Sequence, residues 1–176
     1  MRKLRRVLLG LGSNVDFDGK SSLEILEAAC AELKAILADP VFSSVYKTKA
    51  MYVTDQNDFY NMAVLGSVPD EMTPFDLLKL INRIEARYSR NREKEIRFGP
   101  RPLDIDIELF GNETINTEIL QIPHIRLKER AFVLIPALEI LNKNADENIR
   151  GVFKDYLDKL SSEDKDEVVF VDSTIK

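Results

Sequence analysis

Val7-Leu8-Leu9-Gly10-Leu11 is an apolar run that reads as a buried first strand, and Gly12-Ser13-Asn14 turns the chain after it. From Lys20 to Leu37 the period changes. Leu26, Cys30, Leu33 and Leu37 recur at three and four, a helical stripe, with Ser21 or Ser22 as N-cap and Glu24 close behind. Asp39-Pro40 ends that helix. Val41 to Thr48, rich in β-formers, predicts one strand and Phe59 to Val68 another. The polar loop between them, Lys49 to Asp58, has the length of a functional loop. Thr73-Pro74 starts a second helix, whose stripe is Leu77, Leu78, Ile81, Ile84 and Tyr88. Ser89 to Pro102 is polar and basic. Leu103 to Phe110 alternates and is the clearest strand in the chain. Short extended pieces follow between Thr114 and Ile122, then a helix over Leu127 to Leu141, bent or broken before Pro136. Past Asn142 the chain turns charged, with a short helix at Phe153 to Leu160 and an edge strand or frayed tail at Val168 to Val171.

The order β-α-β-β-α-β with helical additions predicts an α+β, ferredoxin-like fold: an antiparallel sheet with helices on one face. All 176 residues are expected to form one domain, with a core over 7–141 and a C-terminal extension over 142–176. The composition (44% apolar, 31% charged) excludes collagen-like, low-complexity and disulfide-scaffold classes. The longest apolar run, Ala131 to Leu138, falls short of the roughly 20 residues of a membrane helix, so no membrane partner is expected. A single cysteine, Cys30, leaves no internal bridge and points to a reducing, cytoplasmic setting. A net charge of −5 counts against bulk binding to nucleic acid.

Candidate chemistry centres on Leu103-Asp104-Ile105-Asp106-Ile107-Glu108-Leu109. In a strand, Leu103, Ile105, Ile107 and Leu109 share the core face. Asp104 and Asp106 share the other, with Cα atoms roughly 6.6–6.8 Å apart. Two carboxylates at that spacing can converge on a pair of divalent cations. With hard oxygen donors and no neighbouring Cys or His, Mg²⁺ is favoured. Taken alone, the same alternation also fits a solvated strand face. The segment before it tips the balance: Arg87, Arg90, Arg92, Arg97, Arg101 and Lys94 face only Glu93 and Glu95. A cationic loop feeding an acidic, metal-binding strand suits polyphosphate chemistry, because guanidinium forks bind phosphate oxygens bidentately. There is no Walker A loop, and Gly10-Leu11-Gly12-Ser13-Asn14-Val15 fails the dinucleotide fingerprint at its last position.

Phe98-Gly99-Pro100-Arg101-Pro102-Leu103-Asp104-Ile105-Asp106-Ile107 closely resembles the signature of the 6-hydroxymethyl-7,8-dihydropterin pyrophosphokinases. Leu11-Gly12-Ser13-Asn14, Asp58-Phe59-Tyr60-Asn61, Pro123-His124 and Arg130-Ala131-Phe132 fall in that family's order, so the resemblance covers about Leu8 to Ile140. It implies transfer of the pyrophosphoryl group of ATP to the hydroxymethyl oxygen of the reduced pterin, releasing AMP, in folate biosynthesis. By the same resemblance Asp104 and Asp106 hold two Mg²⁺, and Arg90 and Arg92 are catalytic-loop arginines. Asn82, Glu85, Phe98, Arg101, Ile107, His124 and Arg130 stand on the ATP side. Phe59 and Phe132 sandwich the pterin, Asn61 bonds its edge, and the backbone around Thr48 and Met51 reads the rest of the ring. A monomer is implied. The competing reading is a ferredoxin-like nucleic-acid-binding module that uses the basic 87–101 segment.

Overall fold

The computed structural model describes residues 3–51, 55–88 and 99–172. The first apolar run becomes β1 (Leu4–Ser13), which pairs antiparallel with β4 (Phe59–Pro69) on one side and β5 (Asp104–Phe110) on the other. Both β2 (Ala38–Phe42) and β3 (Val45–Thr48) pair with β4 on its far side. β6 (Ile115–Asn116) and β7 (Gln121–Ile122) form a small separate hairpin. β8 (Val169–Asp172) closes the main sheet beside β3, so the order along it is β5-β1-β4-β3-β8. This is the expected ferredoxin-like sheet, widened by one strand.

The first two helices start as expected. In α1 (Ser22–Lys34) Ser21 and Glu24 form a capping box; in α2 (Pro74–Ala86) Thr73 and Asp76 do so, with Pro74 in the first turn. Both helices press on one face of the sheet, where Ile25, Leu26, Leu33, Leu77 and Ile81 meet Val7, Leu9, Val64 and Ile105. Each such Leu or Ile side chain contributes roughly 1.5–3 kcal/mol by leaving water.

The other face is covered too, which corrects the expectation of helices on one face. α3 (Ala131–Ile140) and α4 (Glu147–Lys159) bury Leu134, Ala137 and Phe153 against Leu8, Ala63 and Leu65. The cause lies in β1: Val7, Leu8 and Leu9 are consecutive and all at most 1% exposed, so both faces of that strand need cover.

Three local expectations also change. Val41–Thr48 is two strands, because Ser43 and Ser44 leave the ladder. The Ser43 hydroxyl accepts the Ala63 amide at 2.8 Å, and Glu139 of α3 takes the Ser44 amide and hydroxyl. A 3₁₀ turn at Leu127–Glu129 precedes α3, which then runs through Pro136 without a break. Packing against β4 and α4 outweighs the one hydrogen bond that proline cannot donate. In the charged tail the helix is longer than expected, α4 starting at Glu147, and α5 (Ser162–Asp166) is additional, while the edge-strand alternative holds as β8, where Phe170 meets Tyr46 edge-on at 6.1 Å.

Candidate active site

On the α3 side of the sheet, toward one end of the strands, lies a cavity of about 260 Å³. Its floor is β1, β4 and β5. Each aspartate of β5 stands opposite a glycine of β1: Asp104 pairs with Gly12 and Asp106 with Gly10. A Cβ on Gly10 would meet Glu108 Oε1 at 2.9 Å and one on Gly12 would meet Asn61 Oδ1 at 3.1 Å, so the glycines leave room for the polar groups that line the floor. Asp104 and Asp106 point the same way into the cavity, as the alternation predicted.

Both acids already hold a basic partner. Arg101 Nη1 donates to Asp104 Oδ2 at 2.8 Å, and Arg130 Nη1 donates to Asp106 Oδ2 at 3.0 Å. The Arg130 guanidinium also lies 5.6 Å from the centre of the Phe132 ring. His124 Nε2 is 3.7 Å from Asp106 Oδ2. The Arg126 backbone N–H donates to His124 Nδ1 at 3.2 Å, which puts the proton of a neutral imidazole on Nε2, facing Asp106. Burial, the largest influence, lowers the His124 pKa below its ordinary value and favours that neutral form. His124 therefore offers the cavity an N–H donor.

Opposite these groups lie Phe59, Asn61 and Thr48, with Met51 at the rim, 42% exposed. Asn61 donates to the Thr48 hydroxyl at 2.8 Å, and both are buried. Phe132 enters from the start of α3. The cavity thus combines acidic and arginine groups with amide and aromatic ones, the Phe132 ring lying beside Arg130.

Asn14, at the end of β1, ties the parts together and is 2% exposed. Its side chain accepts the Arg101 amide at 2.8 Å and donates to Gln56 Oε1 and the Asn57 carbonyl, both at 3.1 Å. One amide group thereby fixes Arg101 and the 55–57 loop against the sheet.

Some expected residues stand elsewhere. Ile107 is 3% exposed in the core beneath α1 and α2, on the face of β5 away from the cavity. The Glu85 carboxylate accepts the Ile105 amide at 2.9 Å and does not line the cavity. β5 is the sheet edge, so its outward amides need partners from α2. Asn82, one turn earlier, is also outside the cavity; its buried Oδ1 has no hydrogen-bond partner among the described residues. Arg90, Arg92 and Phe98 lie outside the described residues.

Glu108 was not singled out by sequence reasoning, although the period that picks Asp104 and Asp106 reaches it next. Leu8 pairs with Leu109 and Leu9 with Ile107, so Glu108 is the extra residue of a β-bulge. The bulge overturns the expected orientation of Leu109, which packs with the α3–α4 cluster while Phe110 takes its place in the core. Glu108 itself lines the cavity and is fully buried, and neither carboxylate oxygen has a hydrogen-bond partner among the described residues. Burial, reinforced by the Asp106 charge, pushes its pKa up to about 8.

The carboxylates of Asp104, Asp106 and Glu108 are hard oxygen donors, and Glu108 is an orphaned acid. That set fits Mg²⁺ or Mn²⁺ better than a soft metal. One donor atom each from Asp106, Glu108 and His124 lie within 4.8 Å of one another. His124 could ligate through Nε2 only by giving up the tautomer that its bond from Arg126 selects, which leaves the carboxylates as the ligands.

Comparison with known proteins identifies a family. Residues 8–142 match the 7,8-dihydro-6-hydroxymethylpterin-pyrophosphokinase family. The chain is 42% identical over 132 residues to the 2-amino-4-hydroxy-6-hydroxymethyldihydropteridine pyrophosphokinase of Bacillus subtilis, covering 75% of each chain. It is 37% identical over 140 residues to a mitochondrial folate synthesis bifunctional protein of Arabidopsis thaliana, covering 80% of this chain but 24% of that one. Among solved structures, the wild-type Plasmodium falciparum HPPK-DHPS crystallised with pterin and p-hydroxybenzoate superposes with a TM-score of 0.62 at 18% identity. That match covers 90% of this chain and 44% of the other, and it speaks for the fold alone.

Proposed function

The chain belongs to the 7,8-dihydro-6-hydroxymethylpterin-pyrophosphokinase family, and we infer from that membership how its cavity works. The protein is a diphosphotransferase of folate biosynthesis. It moves the pyrophosphoryl group of ATP to the hydroxymethyl oxygen of 6-hydroxymethyl-7,8-dihydropterin and releases AMP. The nucleic-acid reading of the basic segment finds no support in these relatives.

In the proposed arrangement the pterin ring stacks between Phe59 and Phe132, with Asn61 and the backbone near Thr48 and Met51 reading its edge. Asp104 and Asp106 hold two Mg²⁺ against the triphosphate. The bound cations supply charge neutralisation for the phosphate oxygens. Arg101 and Arg130 exchange their carboxylate partners for phosphate oxygens, which match the guanidinium fork equally well. His124 donates its Nε2 proton in a hydrogen bond to the same group. The hydroxymethyl oxygen attacks the β-phosphorus, a new O–P bond forms, and the bond from that phosphorus to the AMP oxygen breaks. The alcohol proton passes toward Asp104 or Asp106. Positioning and electrostatics carry most of the acceleration. Arg90 and Arg92 are proposed to complete the cationic side, with Phe98 beside the ATP. Asn82 is proposed to reach the nucleotide from α2, whereas Glu85 and Ile107 serve it only by holding β5 in place. A cytoplasmic monomer, with residues 142–176 part of the same domain, belongs to this proposal.

The observation that carries the reading is the same-face pair Asp104 and Asp106, opposite two glycines and flanked by Arg101 and Arg130. Incubation with MgATP and 6-hydroxymethyl-7,8-dihydropterin should yield AMP and the pterin diphosphate. ADP as the nucleotide product, or no turnover, would reject it.

A further inference from the structure

We propose that Glu108 is a third acidic ligand of the cation centre, supplying an oxygen to the ion that Asp106 holds. This rests on the function inferred above and extends it to a residue that the resemblance does not assign.

Three observations carry it. Glu108 is 0% exposed and aimed into the cavity, yet neither of its oxygens meets a hydrogen-bond donor among the described residues. A buried carboxyl without partners is costly, and native proteins keep one where something absent from the apo state satisfies it. Second, a Glu108 oxygen and an Asp106 oxygen lie within 4.8 Å of each other, close enough for one divalent cation to bridge with bonds of roughly 2.0–2.4 Å. Third, the backbone makes room for this acid. A Cβ on Gly10 would stand 2.9 Å from Glu108 Oε1, and the strand alternation that carries Asp104 and Asp106 puts the Glu108 side chain on their face, toward the cavity. A cation there takes the place that the Arg130 guanidinium holds against Asp106.

The alternative is a structural acid that happens to lie beneath the site. The two readings differ in sign. A structural role makes replacement by an apolar residue destabilising. A ligand role makes the metal-free protein at least as stable without the acid, and less responsive to metal.

The test uses the full chain with Mn²⁺ and a non-hydrolysable ATP analogue, comparing wild type with Glu108→Leu and Glu108→Gln. Mn²⁺ binding is read by electron paramagnetic resonance and melting temperature with and without metal. Wild type should bind two Mn²⁺. Both variants should lose at least about tenfold in affinity for one ion. Metal-free Glu108→Leu should melt no lower than wild type, and the Mn²⁺-induced rise in melting temperature should shrink. Two Mn²⁺ bound with wild-type affinity in both variants would overturn the assignment of Glu108 alone. A wild type that takes up no Mn²⁺ would overturn it together with the reading it rests on. Glu108→Gln keeps the shape, so a misfolded Glu108→Leu would not obscure the result.

Discussion

Replacing Glu108 with Gln in metal-free protein should flatten the dependence of stability on pH. The ordinary value of its carboxyl is 4.5, and in the fold burial pushes it up to about 8. Below the lower value both folded and unfolded chains hold the proton, and the group costs nothing through linkage. Between the two values the folded chain holds a proton that the unfolded chain has released. Stability therefore falls as pH rises, by ~1.4 kcal/mol per unit, and by on the order of 5 kcal/mol across the whole window. That is a large share of the 5–15 kcal/mol roughly expected of a domain. Asp106 and Asp104 strengthen the effect and Arg130 opposes it, because their charges reach the same carboxyl. His124 is also held neutral by burial, but it is present in both proteins and largely drops out of the difference. Urea unfolding with a chelator present, from about pH 5 to about pH 8, gives the two curves. Wild type should lose stability relative to Glu108→Gln steadily over that range. Parallel curves would refute the buried, unpaired acid.

Gly10→Ala should destabilise by about 1–3 kcal/mol, since its Cβ would meet Glu108 Oε1 at 2.9 Å. Combining it with Glu108→Ala should recover part of that loss, a coupling that a double-mutant cycle in urea would measure. Asn14→Ala should cost about 2–3 kcal/mol through its lost bonds to the 55–57 loop and to the half-buried Arg101 amide, and should raise the KM for ATP. Phe59→Ala should raise the KM for the pterin roughly tenfold and leave the KM for ATP unchanged, as steady-state kinetics on each substrate would show.

Much of the fold was legible because local signals agreed. Ser21 with Glu24 and Thr73 with Asp76 both form the boxes their spacing suggests, and the alternation before Ile107 places Asp104 and Asp106 on one face. What was illegible depends on distant partners. The break at Ser43 and Ser44 is made by Glu139, and nothing near those serines announces it. α3 survives Pro136 because of what it packs against. The bulge at Glu108 is a property of the β1–β5 pairing, so strict alternation misplaces Leu109. Cover on both faces of the sheet was visible in Val7-Leu8-Leu9, a run too apolar for a strand with one wet side. The glycines of Gly10-Leu11-Gly12 looked like a failed phosphate loop. Their use appears only when β5 and β4 are laid beside β1, where a Cβ on Gly10 would meet Glu108 and one on Gly12 would meet Asn61.

Asp104 and Asp106 together are proposed to hold the cations that grip the nucleotide. Equilibrium dialysis of Mn²⁺ with a non-hydrolysable ATP analogue measures it directly on wild type, Asp104→Ala and Asp106→Ala. Wild type should retain two ions per chain, and each variant should lose binding of at least one while keeping its circular dichroism spectrum. Two ions bound with undiminished affinity in both variants would contradict the account.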